Sequence, residues 1–285
     1  MPALFGPAGR CEQSKMDKIR STEQYLGYLA EKGLNAFEYQ CGHGVNVGEE
    51  KCRLFQQVGQ ANGIAISLHA PYYISLASME EEKRKKSVEY IQKSAMLVSL
   101  MGGDRIVVHP GGIGKYTREE AAKIAKNTLK KALEALDASH LGHVHICVET
   151  MGKVNQLGSF EEVLSMCSLD ERLLPCIDFG HMNARTHGKM NSAAKFGWLL
   201  EQVEKQLGKE RKKKLHMHFS KIEYSAGGEV RHLTFEDKQY GPEFVPLLDL
   251  VAAQGLEPVI ICESAGTQTM DALMMKEYYE EIRKG

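Results

Sequence analysis

The chain has 285 residues, of which 43% are hydrophobic and 26% charged, and its 36 lysines and arginines nearly balance 37 aspartates and glutamates. This composition is typical of a globular protein with a sizeable core, and it excludes disordered, collagen-like and disulfide-scaffold classes. The formal net charge of −1 offers no overall attraction for polyanions. Bound metal cations can nevertheless supply local positive charge beside a phosphate.

The cysteine pattern and the absence of an apolar segment both indicate a cytoplasmic protein. The sequence contains no run of 18 apolar residues, and residues 1–10 lack the charged flank and long apolar core of a signal peptide. Seven cysteines, an odd number without a C-x-x-C pair, are typical of free thiols in a reducing compartment. We therefore predict a cytoplasmic location and no membrane partner, and the sequence implies no protein partner.

Eight short apolar runs recur along the chain, and most are closely followed by Gly, Pro, Ser or Thr. Such runs are typical of buried parallel strands. In chain order, the predicted strands are Ala3–Gly6, Ala36–Gln40, Ala65–Ala70, Arg105–His109, His145–Glu149, Leu174–Asp178, Leu215–Phe219 and Pro258–Glu263.

Amphipathic stretches between these runs predict one helix after each strand. One of them opens with a capping box, in which Thr117 and Glu120 satisfy each other's free backbone donors. The predicted helices are Lys15–Lys32, Glu49–Asn62, Glu80–Met101, Thr117–Ala138, Ser159–Cys167, Asn191–Leu207, Pro242–Gln254 and Asp271–Lys284.

The alternation of eight strands with eight helices predicts an α/β fold, a single (β/α)₈ TIM barrel that spans residues 1–285. No linker rich in Pro, Gly or Ser divides the chain. A doubly wound open sheet is the alternative, but it usually has fewer strands and a phosphate-binding Gly-rich turn after the first. The segment Phe5-Gly6-Pro7-Ala8-Gly9 is too short and wrongly spaced to be that turn.

Residue types that bind metals stand at the ends of the later strands, at intervals of 29–47 residues. Because all strands of a barrel end at one face, these side chains should converge there. Charged groups at the ends of apolar runs are costly unless they are paired or metal-bound, and imidazole and carboxylate suit zinc, manganese or iron. The candidates are His69, His109, Glu149, Asp178, His181, His216, His218 and Glu263.

Together these motifs resemble the endonuclease IV family of apurinic/apyrimidinic endonucleases, within the wider xylose-isomerase-like barrel superfamily. The resemblance runs from Phe5 to Glu263, and the ordered set of candidates carries it rather than any one motif. It implies a zinc-dependent enzyme that hydrolyses DNA 5′ to abasic sites through a hydroxide between two metals. Glu149 and Glu263 would be its catalytic carboxylates.

The resemblance also implies two or three zinc ions, with manganese as the alternative metal. The ligands of the first zinc would be His69, His109 and Glu149. Glu149 would bridge to a second zinc, whose other ligands would be Asp178, His216 and Glu263.

A third zinc, held by His181 and His232, would stabilise the leaving oxygen. Tyr72 matches the position of a family residue that inserts into duplex DNA at the lesion. The alternative interpretation of Tyr72 is a tyrosine that packs on the barrel rim.

The sequence departs from the family pattern in three segments. The family's Asp-Arg-His after strand seven is here Val230-Arg231-His232, so the third metal lacks its expected carboxylate, and Glu229 or His218 would have to replace it. The basic DNA loop after strand two is replaced by residues 41–45, and Asn-Thr-Ala-Gly after strand five by residues 150–152. The metal core is therefore retained better than the DNA-reading surface.

Two other functions stay open at this point. A sugar isomerase or epimerase would need one metal only, held by Glu149, Asp178, His216 and Glu263, and would use it to polarise a carbonyl. Such an enzyme has no need of both His69 and His109 as ligands. A non-catalytic barrel with a vestigial site is the third interpretation, and metal stoichiometry distinguishes the three.

Overall fold

The computed structural model describes residues 2–12, 14, 17–42 and 44–284. Within these residues the strands are β1 (Leu4–Pro7), β2 (Ala36–Gln40), β3 (Ala65–His69), β4 (Arg105–Val108), β5 (His145–Glu149), β6 (Leu173–Asp178), β7 (His216–Phe219), β8 (Lys221–Ser225), β9 (Gly228–Leu233) and β10 (Val259–Cys262). The helices are α1 (Thr22–Glu31), α2 (Glu49–Ala61), α3 (Glu81–Leu100), α4 (Arg118–Ala138), α5 (Phe160–Cys167), α6 (Phe179–Arg185), α7 (Ala193–Leu207), α8 (Lys209–Lys213), α9 (Val245–Ala253) and α10 (Gln268–Ile282).

Eight parallel strands form one sheet in the order β1-β10-β7-β6-β5-β4-β3-β2. The seam between β1 and β2 is joined by a parallel bridge between Ala8 and Glu38, and the Gly9 amide donates to the Glu38 carbonyl at 2.9 Å. The sheet thus nearly closes into a barrel with helices between its strands. The predicted (β/α)₈ TIM barrel is confirmed, and its assignment to one domain over residues 1–285 stays a prediction.

Most of the predicted boundaries agree with the structure to within one to three residues. The main exception is the helix expected over Lys15–Lys32. Ser21 caps α1 by accepting from the Gln24 amide, and Lys18 has a left-handed φ of 61°, so the described helix begins only at Thr22. Lys15 and Met16, where the prediction started, lie outside the described residues.

The sequence analysis missed the antiparallel hairpin β8–β9 and the short helix α6. The hairpin is short and largely polar, so it lacks the apolar run that identifies a barrel strand. Helix α6 follows β6 without a loop, and Asp178 is its N-cap, accepting from the His181 amide at 2.7 Å. Both elements lie at the carboxyl end of the barrel and supply functional side chains.

Apolar side chains fill the layer between sheet and helices, while smaller groups fill the barrel interior. The interior groups include Val107, Cys147 and Cys176. All seven cysteines are buried and unpaired in the described structure. Among the described residues, no helix combines the length and apolar character required to cross a membrane.

Candidate metal centre

The predicted candidates converge at the carboxyl end of the barrel because successive strands deliver them to one face. Their ligand atoms form groups in which all members lie within 4.8 Å of one another. One group joins His69, His109 and Glu149, and a second joins Glu149, Asp178, His218 and Glu263. A third group, formed by His181, Glu229 and His232, draws on α6 and the hairpin.

Glu149, the last residue of β5, lies at the centre of this cluster and is fully buried. Its Oε2 atom is 2.9 Å from His109 Nε2 and 3.2 Å from His69 Nε2. Its Oε1 atom is 3.2 Å from His181 Nδ1 and 3.4 Å from His218 Nδ1. Glu149 is therefore shared between two ligand groups, the place that the family resemblance implied for it.

The structure differs from the prediction at His216. This side chain is fully buried, and its Nε2 donates to Glu38 Oε2 at 2.9 Å instead of joining Glu149. Side chains two residues apart on a strand share a face, so His216 and His218 both point into the barrel. His218 is paired in register with Asp178 at the carboxyl end, and His216 lies deeper, opposite Cys176. His218 therefore lies in the group around Glu149, whereas His216 lies in a deeper group with Cys176 and His218, and its role as a ligand stays a prediction.

The third group includes residues of segment 229–232, where the sequence departs from the family's Asp-Arg-His pattern. In the hairpin Glu223 pairs with Arg231 and Tyr224 pairs with Glu229, so Val230 is the extra residue of a β-bulge. A bulge re-aims side chains relative to the regular alternation. As a result the Glu229 carboxylate reaches 3.4 Å from His181 Nε2, beside His232. Of the two replacements considered, Glu229 is the one that lies in this group.

Three imidazoles of the cluster are held by a hydrogen bond at Nδ1. His69 Nδ1 donates to the Ala70 carbonyl at 2.9 Å, and His181 Nδ1 donates to the Thr150 carbonyl at 3.0 Å. His232 Nδ1 lies 2.8 Å from Ser220 Oγ. In each ring Nε2 remains for a ligand. Metal-binding histidines in proteins are usually anchored in this way through the other ring nitrogen.

The electrostatics of the metal-free cluster are those of opposite charges held together out of water. Burial opposes ionisation of Glu149, yet His109, His181 and His218 hold its pKa well below its usual range. Burial alone would lower the pKa of His69, but the hydrogen bond and charge of Glu149 raise it to about 9. The raised pKa values of His69, His181 and His218 favour their charged forms, which balance the charge of the carboxylates.

The cluster also contains buried polar atoms that lack hydrogen-bond partners and could bind divalent cations. Glu149 Oε1, Asp178 Oδ2 and His218 Nδ1 are buried and make no well-aligned hydrogen bond. Buried polar atoms without partners are costly, and all three belong to the second ligand group. Imidazole nitrogen and carboxylate oxygen are the donors that zinc and manganese prefer. We conclude that these residues could hold metal ions.

A cavity of about 360 Å³ opens over the cluster. It is lined by members of the ligand groups together with Gln40, Tyr72, Lys153 and Gln156. Tyr72 is 62% exposed at the mouth of this cavity, and its ring lies edge-on to Tyr73 with 5.6 Å between centroids. A larger cavity of about 620 Å³ at the opposite end of the barrel, near Arg105 and His145, contains none of the ligand groups.

One buried residue of the site escaped the sequence analysis. Glu38 lies within the predicted strand Ala36–Gln40 and is fully buried against His216 and His218. A carboxylate in the middle of an apolar strand pattern was the available signal, because such a group is rarely buried without partners.

The fold and this site define the class to which the chain belongs. Residues 26–282 match the family model described as "Xylose isomerase-like TIM barrel". Because the match covers most of the chain, the chain belongs to this family.

Among its relatives, the chain is 34% identical to "Uncharacterized protein MJ0133" of Methanocaldococcus jannaschii over 97% of both proteins. It is 30% identical to "Probable endonuclease 4" of Halalkalibacterium halodurans over 71% of this chain and 68% of that protein. Matches to other proteins of the same name cover 41–61% of their length. The resemblance to endonuclease IV, as a divergent member, is confirmed.

Solved structures share the whole fold at lower identity. A D-tagatose 3-epimerase-like protein superposes with a TM-score of 0.74 and 21% identity, covering 99% of this chain and 98% of that one. Endonuclease IV from Thermus thermophilus superposes with a TM-score of 0.65 and 20% identity, covering 99% of this chain and 100% of that one. These likenesses show the fold and leave the reaction open.

Proposed function

We propose that this chain is a metal-dependent phosphodiesterase that cleaves DNA 5′ to abasic sites. The observation that carries the proposal is a set of adjoining ligand groups, two of which share Glu149. A carboxylate shared between neighbouring groups suits a pair of metal ions about 3.5–4 Å apart, the arrangement used for in-line phosphoryl displacement.

His69 and His109 favour a multinuclear site over a mononuclear one. Both imidazoles direct Nε2 at the same Glu149 oxygen, at 3.2 and 2.9 Å. The group of Glu149, Asp178, His218 and Glu263 already offers four ligands, enough for one ion without either histidine. We therefore assign His69 and His109 to a separate ion, and His181, Glu229 and His232 to a third.

In this proposal the protein holds the metals and admits the substrate. When bound, paired divalent ions activate water and neutralise the charge that develops on the transferring phosphoryl group. Glu149 is fully buried and holds the two groups together, whereas the Glu263 side chain is 14% exposed and faces the cavity. Lys153 at the cavity wall offers a cation for a phosphate, and the exposed Tyr72 ring offers a stacking surface for a base.

The test is incision of a duplex oligonucleotide with one abasic site by the zinc-loaded protein. We expect a single cut on the 5′ side of the site, loss of cutting with chelator, and loss in Glu149→Gln. Glu161→Gln, which alters an exposed carboxylate on α5 outside the ligand groups, is the matched control and should cut normally. If the loaded protein leaves abasic DNA intact but hydrolyses bis(p-nitrophenyl) phosphate, the result supports phosphodiester hydrolysis and contradicts abasic DNA as the substrate.

A second candidate, a single-metal sugar epimerase, is favoured by the four-ligand group and by the epimerase-like structural neighbour. In that case one ion at Glu149, Asp178, His218 and Glu263 would polarise a ketose carbonyl. Replacement of His69 and His109 by alanine would then leave the metal count at one. The same double replacement should remove one of several ions if the phosphodiesterase proposal is right.

A further inference from the structure

Beneath the metal centre, Glu38 places a carboxylate in the barrel interior. Its Oε2 atom accepts from His216 Nε2 at 2.9 Å and from Ser67 Oγ at 3.0 Å. Its Oε1 atom accepts from Gln40 Nε2 at 3.2 Å and lies 3.1 Å from His218 Nε2. Both oxygens of this fully buried group therefore have polar side chains within 3.2 Å.

The strand register fixes this arrangement. Glu38 is paired with Ser67 of β3, which brings the serine hydroxyl to the carboxylate. Across the barrel, β7 presents His216 and His218 on one face, and both rings direct Nε2 at Glu38. A single carboxylate thus contacts two histidines of which only His218 belongs to the ligand group around Glu149.

The contact with Glu38 decides which ring nitrogen of His218 is offered to a metal. While Nε2 faces Glu38, Nδ1 lies 3.4 Å from Glu149 Oε1 and 3.5 Å from Glu263 Oε1. An imidazole that binds a metal through Nδ1 carries its proton on Nε2, and the Glu38 carboxylate is the acceptor at 3.1 Å. His218 Nε2 makes no well-aligned hydrogen bond in the structure, and a metal at Nδ1 would direct the Nε2 proton at Glu38.

We propose that Glu38 is the positioning residue of the second ligand group. It holds His218 with Nδ1 toward Glu149 and Glu263, and it thereby sets the affinity of this group for a divalent cation. Partners of this kind typically change metal affinity about 10–100-fold when they are removed. The inference rests on the metal centre of the proposed function and is independent of its substrate.

The experiment measures zinc binding to the full chain by competition with a chromophoric chelator, for Glu38→Gln and Ser67→Ala. Ser67→Ala is the matched control, because it removes a hydrogen bond from the same carboxylate while leaving its contact with His218. We expect Glu38→Gln to weaken one zinc equivalent about 10–100-fold and Ser67→Ala to change it less than about 3-fold.

Unchanged zinc affinity in folded Glu38→Gln would overturn the proposal. An equal loss in Ser67→Ala would also overturn it, because it would show an effect of packing between β2 and β3. If Glu38→Gln does not fold, ¹⁵N NMR of the zinc-loaded wild type decides through the tautomer of His218. A proton on Nε2 with Nδ1 bound to zinc supports the proposal, and the reverse refutes it. A wild type that binds no zinc refutes the metal centre itself, whereas failure to cut DNA leaves this inference standing.

Discussion

At the residue scale, the site depends on a fully buried carboxylate that several imidazoles surround. Glu149 tolerates burial because ring nitrogens of His69, His109, His181 and His218 lie 2.9–3.4 Å from its oxygens. Charge at such a position is costly unless it is compensated. Protonated imidazoles and bound cations are alternative ways to compensate this buried charge.

Replacement of Glu149 by glutamine should therefore distinguish the contribution of its negative charge from that of its side-chain volume. The amide keeps the volume but removes the negative charge that two ligand groups share. We expect the loss of at least one zinc equivalent and a fall in phosphodiester hydrolysis of about 100-fold or more. Elemental analysis and initial rates measure the two effects, and full turnover with unchanged metal content would contradict the assignment.

Gly152 controls the third ligand group by leaving space for it. A Cβ atom at this position would lie 2.6 Å from Glu229 Cβ and 2.9 Å from His181 Cδ2. We expect Gly152→Ala to displace Glu229, destabilise the fold by about 1–3 kcal/mol and weaken one zinc equivalent. Gly112→Ala, in the loop after β4 where a Cβ meets nothing within 4 Å, is the control. Equal zinc binding by the two variants would show that Glu229 is not a ligand.

At the element scale, hydrophobic runs made the barrel strands predictable, whereas the polar segments inserted between strands could not be predicted from such runs. The strands His145–Glu149 and Ala36–Gln40 were predicted to the residue, because buried parallel strands are apolar on both faces. The hairpin β8–β9 has no such run, and its bulge at Val230 depends on pairing that spacing alone does not reveal. Spacing also could not rank His216 against His218 for the group around Glu149, since both share the inward face and differ only in depth.

The N-terminus of α5 yields a prediction about pH. Burial would raise the pKa of Glu162, but its ion pair with Arg118 and the amides of Ser159 and Gly158 lower it from the usual value of 4.5. A lowered folded-state pKa contributes stability above the unfolded pKa, and this contribution is lost as pH falls through the folded value. Glu162→Gln should cost about 1–2 kcal/mol at pH 7 and progressively less below about pH 4.5.

Urea unfolding at several pH values measures this effect. Glu161→Gln is the control, because Glu161 lies one residue earlier and pairs with no arginine in the described structure. A cost for Glu162→Gln that stays constant down to pH 3 would show that the ion pair and cap do not depend on the charge of this carboxylate.

At the scale of the whole molecule, the barrel converts distant sequence positions into one cluster. That convergence was predictable, because parallel strands joined by crossover helices must end at the same face. The proposed role of Glu38 was not predictable, because it depends on contacts across the barrel interior between β2 and β7. Spacing along the chain therefore predicted which face bears the candidate ligands, while the layers inside the barrel were visible only in three dimensions.

Metal binding should also stabilise the whole fold. Ligands from six barrel strands or their ends, together with α6 and the hairpin, would be tied together by bound ions. A ligand that binds only the folded state at 100 times its Kd stabilises that state by about 2.7 kcal/mol. We expect chelation to lower the melting temperature and zinc to restore it, as followed by circular dichroism. A melting temperature indifferent to both would show that no ion binds tightly to the folded chain.

The central claim is that this barrel holds more than one metal ion around Glu149. The most direct measurement is the zinc content of the purified chain after equilibration with excess zinc and removal of the free metal, set against protein concentration. The proposed function predicts two to three equivalents, falling by about one when His69 and His109 are both replaced by alanine. One equivalent that survives this replacement would contradict the claim and favour the single-metal epimerase, and none would identify a barrel without a metal centre.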